Sequence, residues 1–181
     1  MPALTKQQLD SAQEFATASI AALRSKEGIH AGTVIAATAR MAGTYLFRSF
    51  GFDLDGIQPG QVVLSEKANA QGPTLIETTG RLLLRMGISL DPSQAGIPVD
   101  PNDQPTLSFL DTQRSLEPAF SSIRARYGFD DEQTAYAVAA ATSLLIQHRA
   151  KVLDPHIGFS IATLGFVEGT KTAPDPVGSI E

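Results

Sequence analysis

An arginine, Arg40, lies in the middle of a helical stretch of small residues, HAGTVIAATARMAGTYLFRSF, that spans residues 30–50. Helical spacing places Thr33 and Thr44 on the same side of this stretch as Arg40. A guanidinium group among hydroxyl groups can bind a carboxylate or a phosphate through its forked N–H donors. The alternative is an arginine whose stem lies along the helix and whose head group reaches solvent or an internal acid. The pattern leaves both interpretations open.

The three histidines, His30, His148 and His156, are the other candidates for ligand binding or proton transfer. No two of them lie three or four positions apart, so a single helix cannot direct two of them at one metal ion, and we expect no metal site. His148 follows an apolar stripe and is expected at the edge of the core. His156 follows Asp154 and Pro155 at a helix start, where the helix dipole disfavours the protonated ring. It could act as a neutral base or lie on the surface.

The common motifs of catalysis and nucleotide binding are missing from the sequence. There is no G-x-S-x-G nucleophile motif, no phosphate-binding G-x-x-x-x-G-K-[ST], and no G-x-G-x-x-G after a strand. The acids of the loop 88–105 do not match the spacing of an EF-hand. We therefore expect no cofactor, assign no catalytic residue, and favour a protein that is not an enzyme.

The charge and composition of the chain exclude several classes of partner. The 181 residues carry 19 acids against 14 lysines and arginines, and a net charge of −5 argues against nucleic acid. No apolar run reaches the roughly 20 residues of a membrane span, so we expect no membrane partner. Residues 1–14 do not have the pattern of a secretory signal, and the chain has no cysteine. These features favour the cytoplasm.

Start and stop signals divide the chain into six predicted helices. A glycine followed by a large apolar residue is typical of a helix end, and it occurs at Gly28, Gly51, Gly87 and Gly128. Helix-capping residues occur at Thr5, Thr74, Asp130 and Asp154. The predicted helices cover residues 5–27, 31–50, 74–86, 106–127, 131–152 and 155–169. Pro118 predicts a kink in the fourth, or two short helices with Ser115 as the second cap.

The predicted fold is an all-α, single-domain bundle of about six helices that covers residues 1–169. Only QVVLS, residues 61–65, resembles a strand, and it has no evident partner. Residues 88–105 contain four prolines and predict a long ordered loop or a lid. Residues 170–181 show no periodicity and predict a flexible tail.

Two predicted helices carry a row of small residues, which we call the small-residue seams. One seam is Gly32, Ala36, Ala39 and Gly43, and the other is Gly158, Ala162, Gly165 and Gly169. Glycine inside a helix costs about 0.5–1 kcal/mol relative to alanine, so its repeated use indicates close approach of backbones. We expect tight helix crossings at both seams, and the two seams could pack against each other. A ligand cavity or a subunit interface along one seam is the alternative.

The function favoured by these patterns is protein association, with a second copy as a homodimer or with another protein. Low surface charge, the small-residue seams and the Pro-rich loop motivate this expectation. The alternative is a protein or enzyme that binds a small anionic ligand in a pocket between helices around Arg40. Its candidate ligand-binding residues are Arg40, Thr33, Thr44, His30, His148 and His156.

Overall fold

The computed structural model describes residues 4–91, 93 and 98–176. In these residues the chain forms the predicted all-α bundle, with six helices and two isolated β-bridges. The helices are α1 (Lys6–Ala22), α2 (Ala31–Ser49), α3 (Glu66–Arg85), α4 (Phe109–Tyr127), α5 (Asp131–Arg149) and α6 (Pro155–Lys171).

Helix α2 is the centre of the bundle and contacts all five other described helices. Its contact with α6 is the most extensive of any helix pair, and its contact with α5 is the next. Nearly all of α2 is buried, because its own residues are small or apolar on every face of the helix. The remaining contacts place α1 against α5 and α4, and α3 against α5 and α6. One core therefore surrounds α2.

Three predicted helix starts are confirmed by their capping hydrogen bonds. Thr5 forms a full capping box with Gln8 at the start of α1. Asp130 caps α5 in the same reciprocal way, through Gln133. Asp154 accepts a hydrogen bond from the His156 N–H at the start of α6. These side chains satisfy backbone donors that would otherwise have no partner in the first turn.

The predicted glycine stop signals hold for three helices and fail for the first. Gly128 ends α4 in the left-handed region at φ 67°, and the N–H of the next residue bonds back to the Arg124 carbonyl. Gly51 and Gly87 also have positive φ just beyond α2 and α3. Helix α1 instead ends at Ala22, and Gly28 closes a separate tight turn with Ser25. The prediction that the first helix reaches residue 27 is therefore wrong.

Both helix-interior prolines are tolerated, which corrects the predicted start of the third helix and excludes the division of the fourth into two short helices. Helix α3 begins at Glu66, where Ser65 is the cap, and it continues through Pro73 past the expected start at Thr74. Helix α4 runs unbroken through Pro118. Both prolines are exposed, and so are the residues four positions earlier whose carbonyls lose their helical partner. Because water can hydrate those carbonyls, the helices continue.

The described part of the predicted tail is packed against the segment that resembled a strand. Val62 forms a β-bridge with Thr172, and the Ala173 N–H donates to the Gln61 carbonyl at 2.9 Å. Ala173 is 1% exposed. The strand-like residues 61–65 therefore have a partner that the sequence did not reveal. Residues 177–181 lie outside the described part of the chain.

A cleft between helices α2, α3 and α6

An open cleft of about 950 Å³ lies between α6, α2, α3 and the loop that precedes α4. This volume lies at the upper end of the roughly 300–1,000 Å³ typical of small-molecule pockets. Its walls are mainly apolar. The lining residues of α6 are His156, Phe159, Ser160, Ile161, Thr163, Leu164, Gly165 and Glu168. The other lining residues are Ala36, Arg40, Ile76, Leu90, Asp91, Pro98, Val99, Gln104 and Pro105.

The cleft is elongated because it follows α6 over most of that helix. Its lining runs from His156 in the first turn to Glu168 in the last. At 1.5 Å per residue, these two positions are about 18 Å apart along the helix axis. Apolar side chains such as Leu164, which is 67% exposed, lie between the two polar ends. The site is therefore a long, mainly apolar channel that runs from His156 at one end to Glu168 at the other.

Close contact between α2 and α6 forms the base of the cleft. A Cβ atom added to Gly165 would lie 2.9 Å from both the Ala36 carbonyl oxygen and the Ala39 Cβ. One turn further along, a Cβ on Gly43 would lie 2.7 Å from the Gly169 Cα. Parts of the two small-residue seams thus face each other. The absence of side chains at these positions allows backbone contact.

The other seam residues have different neighbours. Gly32 faces the backbone carbonyl of Asp103 in the loop before α4. Gly158 faces the side chains of Ile146 and Ile35 at ordinary contact distance. Ala162 is fully buried in the core. The seams therefore serve the α2–α6 crossing along only part of their length.

Arg40 lies at the α6 C-terminal end of the cleft and is paired with an acid. Its Nε donates to Glu168 Oε2 at 2.6 Å, and its Nη1 donates to the Leu107 carbonyl at 2.7 Å. The Arg40 side chain is 13% exposed, and that of Glu168 is 39% exposed. The structure therefore matches the second interpretation of Arg40, an arginine whose head group reaches an internal acid.

His156 lies at the opposite end, where it links α6 to the loop. The Asp91 backbone N–H lies 2.9 Å from Nε2, and Asp154 Oδ1 lies 3.0 Å from Nδ1. A backbone N–H can only donate, so Nε2 is the acceptor. The ring proton is therefore on Nδ1, which donates a hydrogen bond to Asp154 Oδ1. The His156 backbone N–H, followed by its side chain, holds the pKa of Asp154 below its usual value. With both ring nitrogens bonded, His156 connects two segments and has no free lone pair for a base.

His30 anchors the far end of the same loop. The Thr33 N–H donates to His30 Nδ1 at 3.1 Å, which makes the ring the cap of α2. Nε2 must then carry the proton, and it donates to the Asn102 carbonyl at 2.6 Å. Thr33 also accepts a hydrogen bond from the Thr106 N–H. The described ends of the loop are therefore tied to α6 by one histidine and to α2 by another.

The remaining predicted site residues do not line the cleft. Thr44 is fully buried and accepts a hydrogen bond of 3.4 Å from Gln113. His148 is exposed in the last turn of α5, so the expectation of a core-edge position is wrong. Its turn lies beyond the buried part of α5, which ends with Ile146. Of the six candidate residues, Arg40 and His156 line the cleft, and His30 and Thr33 position its loop.

Sequence reasoning missed Glu168 and the apolar lining of the cleft. Glu168 is the only acid in α6 and Arg40 is the only cation in the middle of α2, so their pairing had a signal in the sequence. The apolar lining residues Ile76 and Leu90 had no such signal. They come from α3 and the loop, whose positions depend on tertiary structure.

A second ion pair is buried between α2 and α4 and is structural in character. Arg48 Nη1 donates to Glu117 Oε1 at 2.9 Å, and the same oxygen accepts from Tyr45 and Ser121. Burial, and then the Glu117 charge, raise the pKa of Tyr45 well above its usual value. Arg48 also borders a smaller cavity of about 430 Å³, to which Glu117 does not contribute. This cluster joins α2 to α4 inside the bundle.

Comparisons with known proteins add no functional assignment. Searches of family models, curated proteins and solved structures find no match to this chain. Among the described residues, no three His, Cys, Asp or Glu side chains form a group suited to a metal ion. No helix in the same part of the chain has the length and apolar character needed to cross a membrane. The geometry of the cleft is therefore the main guide to function.

Proposed function

We propose that this protein binds a small, mainly apolar molecule in the cleft between α2, α3 and α6. The observation that carries this proposal is a cavity of about 950 Å³ whose walls are mainly apolar and include a few polar side chains. Concave, mainly apolar sites with a small number of polar groups are typical of ligand pockets between helices. A bound apolar molecule would cover the exposed side chain of Leu164 in the wall, and removing that apolar surface from water favours binding.

The proposal also differs from the anionic ligand that the sequence offered as the alternative to protein association. An anion would need the charge of Arg40, and that charge is already compensated by Glu168 at 2.6 Å. Binding an anion there would bring it close to the Glu168 carboxylate. Nor does His156 offer a free lone pair for a catalytic base, because both of its ring nitrogens are bonded. Binding rather than catalysis therefore fits this site best.

The test uses Nile red, an uncharged dye whose fluorescence rises in apolar surroundings. Thr163→Trp places an indole in the cleft, where the Thr163 hydroxyl now donates to the Phe159 carbonyl. Thr17→Trp is the matched control, because Thr17 makes the same backward hydrogen bond on the exposed face of α1. We expect the wild type and Thr17→Trp to bind the dye and Thr163→Trp to lose at least about tenfold in affinity.

Circular dichroism and thermal unfolding establish that both tryptophan variants are folded. If all three proteins bind Nile red equally, the dye lies elsewhere and the proposal fails. Absence of saturable binding by the wild type would also contradict it.

Self-association is the second candidate function, favoured by apolar side chains that remain exposed. Leu64 is 79% exposed and Val167 is 42% exposed, and neither lines the cleft. A homodimer working in the cytoplasm would cover such residues and would suit a chain without cysteine. Sedimentation equilibrium should then give twice the chain mass, and Leu64→Ser should weaken the dimer without changing Nile red binding. A monomer at every concentration would count against this candidate.

A further inference from the structure

The polar end of the cleft at Arg40 offers one free donor beside one free acceptor. Arg40 uses Nε and Nη1 in hydrogen bonds, and its Nη2 has no partner among the described residues. Glu168 uses Oε2, and its Oε1 likewise has no partner in that part of the chain. Both residues line the cleft. A ligand group that lies here therefore meets an N–H and a carboxylate oxygen together.

We propose that the ligand is an uncharged, long-chain amphiphile whose head group both donates and accepts a hydrogen bond, such as an alcohol or a primary amide. This inference rests on the proposed binding function of the cleft. The head group lies against Arg40 and Glu168, where it accepts from Nη2 and donates to Oε1. The chain extends along α6 towards His156.

Electrostatics excludes charged head groups from this position. A carboxylate would approach the Glu168 carboxylate, and an ammonium group would approach the Arg40 guanidinium. Either ion would also lose its hydration on entering an apolar cleft. Among its described residues, this end of the cleft offers no unpaired opposite charge that would offset this cost. The only other lining carboxylate is Asp91, at the opposite end of the cleft. An uncharged head group meets neither cost.

The elongated shape of the cleft favours a ligand with a linear chain. The apolar walls extend over about 18 Å between Glu168 and His156. Phe159, Ile161 and Leu164 follow one another along this path, and Ile76 and Val99 face it from α3 and the loop. A linear alkyl chain matches an elongated apolar channel better than a compact ring system.

The experiment compares three probes with the same alkyl chain, decanol, decanoate and decylammonium, below their aggregation thresholds. Displacement of Nile red from the wild type measures their relative affinities near neutral pH. We expect decanol to bind at least about fivefold more tightly than decanoate or decylammonium, the effect of one close like-charge contact partly screened by water.

Glu168→Gln separates charge selectivity from a merely structural role of the pair. Glutamine keeps the size of the side chain and an acceptor for Arg40 Nε, and it removes the negative charge. Because Glu168 is 39% exposed, the substitution leaves the fold intact. With each probe affinity referred to the variant's own affinity for Nile red, we expect the variant to bind decanoate about fivefold or more tightly than the wild type and to bind decylammonium less well.

The possible outcomes distinguish this inference from the proposed function. If the wild type binds Nile red but prefers decanoate, or if Glu168→Gln leaves the order of the probes unchanged, the head-group assignment is wrong and the binding function stands. If Nile red binds and no probe displaces it, the linear-chain assignment is wrong. If Nile red itself does not bind, the proposed function fails and this inference fails with it.

Discussion

Replacing Gly43 by alanine tests the backbone contact between α2 and α6 one turn beyond the part of this crossing that lines the cleft. The added Cβ would lie 2.7 Å from the Gly169 Cα and 2.7 Å from the Phe166 carbonyl oxygen. Both neighbours are backbone atoms, so no flexible side chain can move aside. The helices must separate by about half an ångström before the contact becomes tolerable.

The expected cost follows from two opposing effects. Overpacking of this kind costs about 1–3 kcal/mol, whereas alanine in a helix interior gains up to about 1 kcal/mol over glycine. Because the clash is with backbone atoms, the upper part of the overpacking range applies, about 2–3 kcal/mol. Subtracting about 1 kcal/mol for helix propensity leaves a net loss of about 1–2 kcal/mol, which lowers the melting temperature by roughly 2–8 °C for a chain of this size. Thermal unfolding followed by circular dichroism at 222 nm measures it.

Gly80→Ala is the matched control on α3, which packs against the same helix. Its Cβ would lie 3.7 Å from the Phe159 ring, an ordinary contact, so the gain in helix propensity has no opposing term. We expect its melting temperature to rise by about 1–4 °C. The reasoning about backbone contact is refuted if Gly43→Ala is as stable as the wild type, or if both variants gain stability alike.

Two further substitutions test the hydrogen bonds around α2. Tyr45→Phe should lower the free energy of unfolding by about 1.5–3 kcal/mol, because it removes a donor to the charged Glu117. In urea unfolding, the stability of this variant should depend less on pH than that of the wild type above about pH 10. The wild type loses stability there because the unfolded tyrosine releases its proton while folded Tyr45, with its raised pKa, retains it; parallel pH profiles would contradict this. His30→Ala should cost about 1–2 kcal/mol through loss of the α2 cap and the loop hydrogen bond, whereas exposed His148→Ala should change stability by less than about 0.5 kcal/mol. Equal effects of the two histidine variants in urea unfolding would show that His30 does not anchor α2.

The fold was predictable where its signals are local. Caps such as Thr5 and Asp130 satisfy donors within their own first turn, so the sequence contains the whole interaction. The start of α3 was not predictable from Pro73, because its effect depends on whether the freed carbonyl faces water. That is decided by the orientation of the helix in the bundle.

The candidate site was predictable only in part, because its residues come from distant segments. Arg40 was recognisable as unusual, but its partner Glu168 is 128 positions away. His30 and His156 were recognisable as candidates, but their shared attachment to one loop depends on the folded chain. The cleft itself arises where α3 and the loop meet α6, and no local pattern encodes that meeting.

The most direct test of the binding account is to map Nile red on the protein by amide chemical shifts in solution NMR. The account predicts that the largest shifts fall on α6 between His156 and Glu168, with further shifts in residues 98–105, and that Thr163→Trp abolishes them. Shifts confined to other surfaces, such as the exposed face of α1 or the smaller cavity beside Arg48, would contradict the assignment of this cleft as the ligand site.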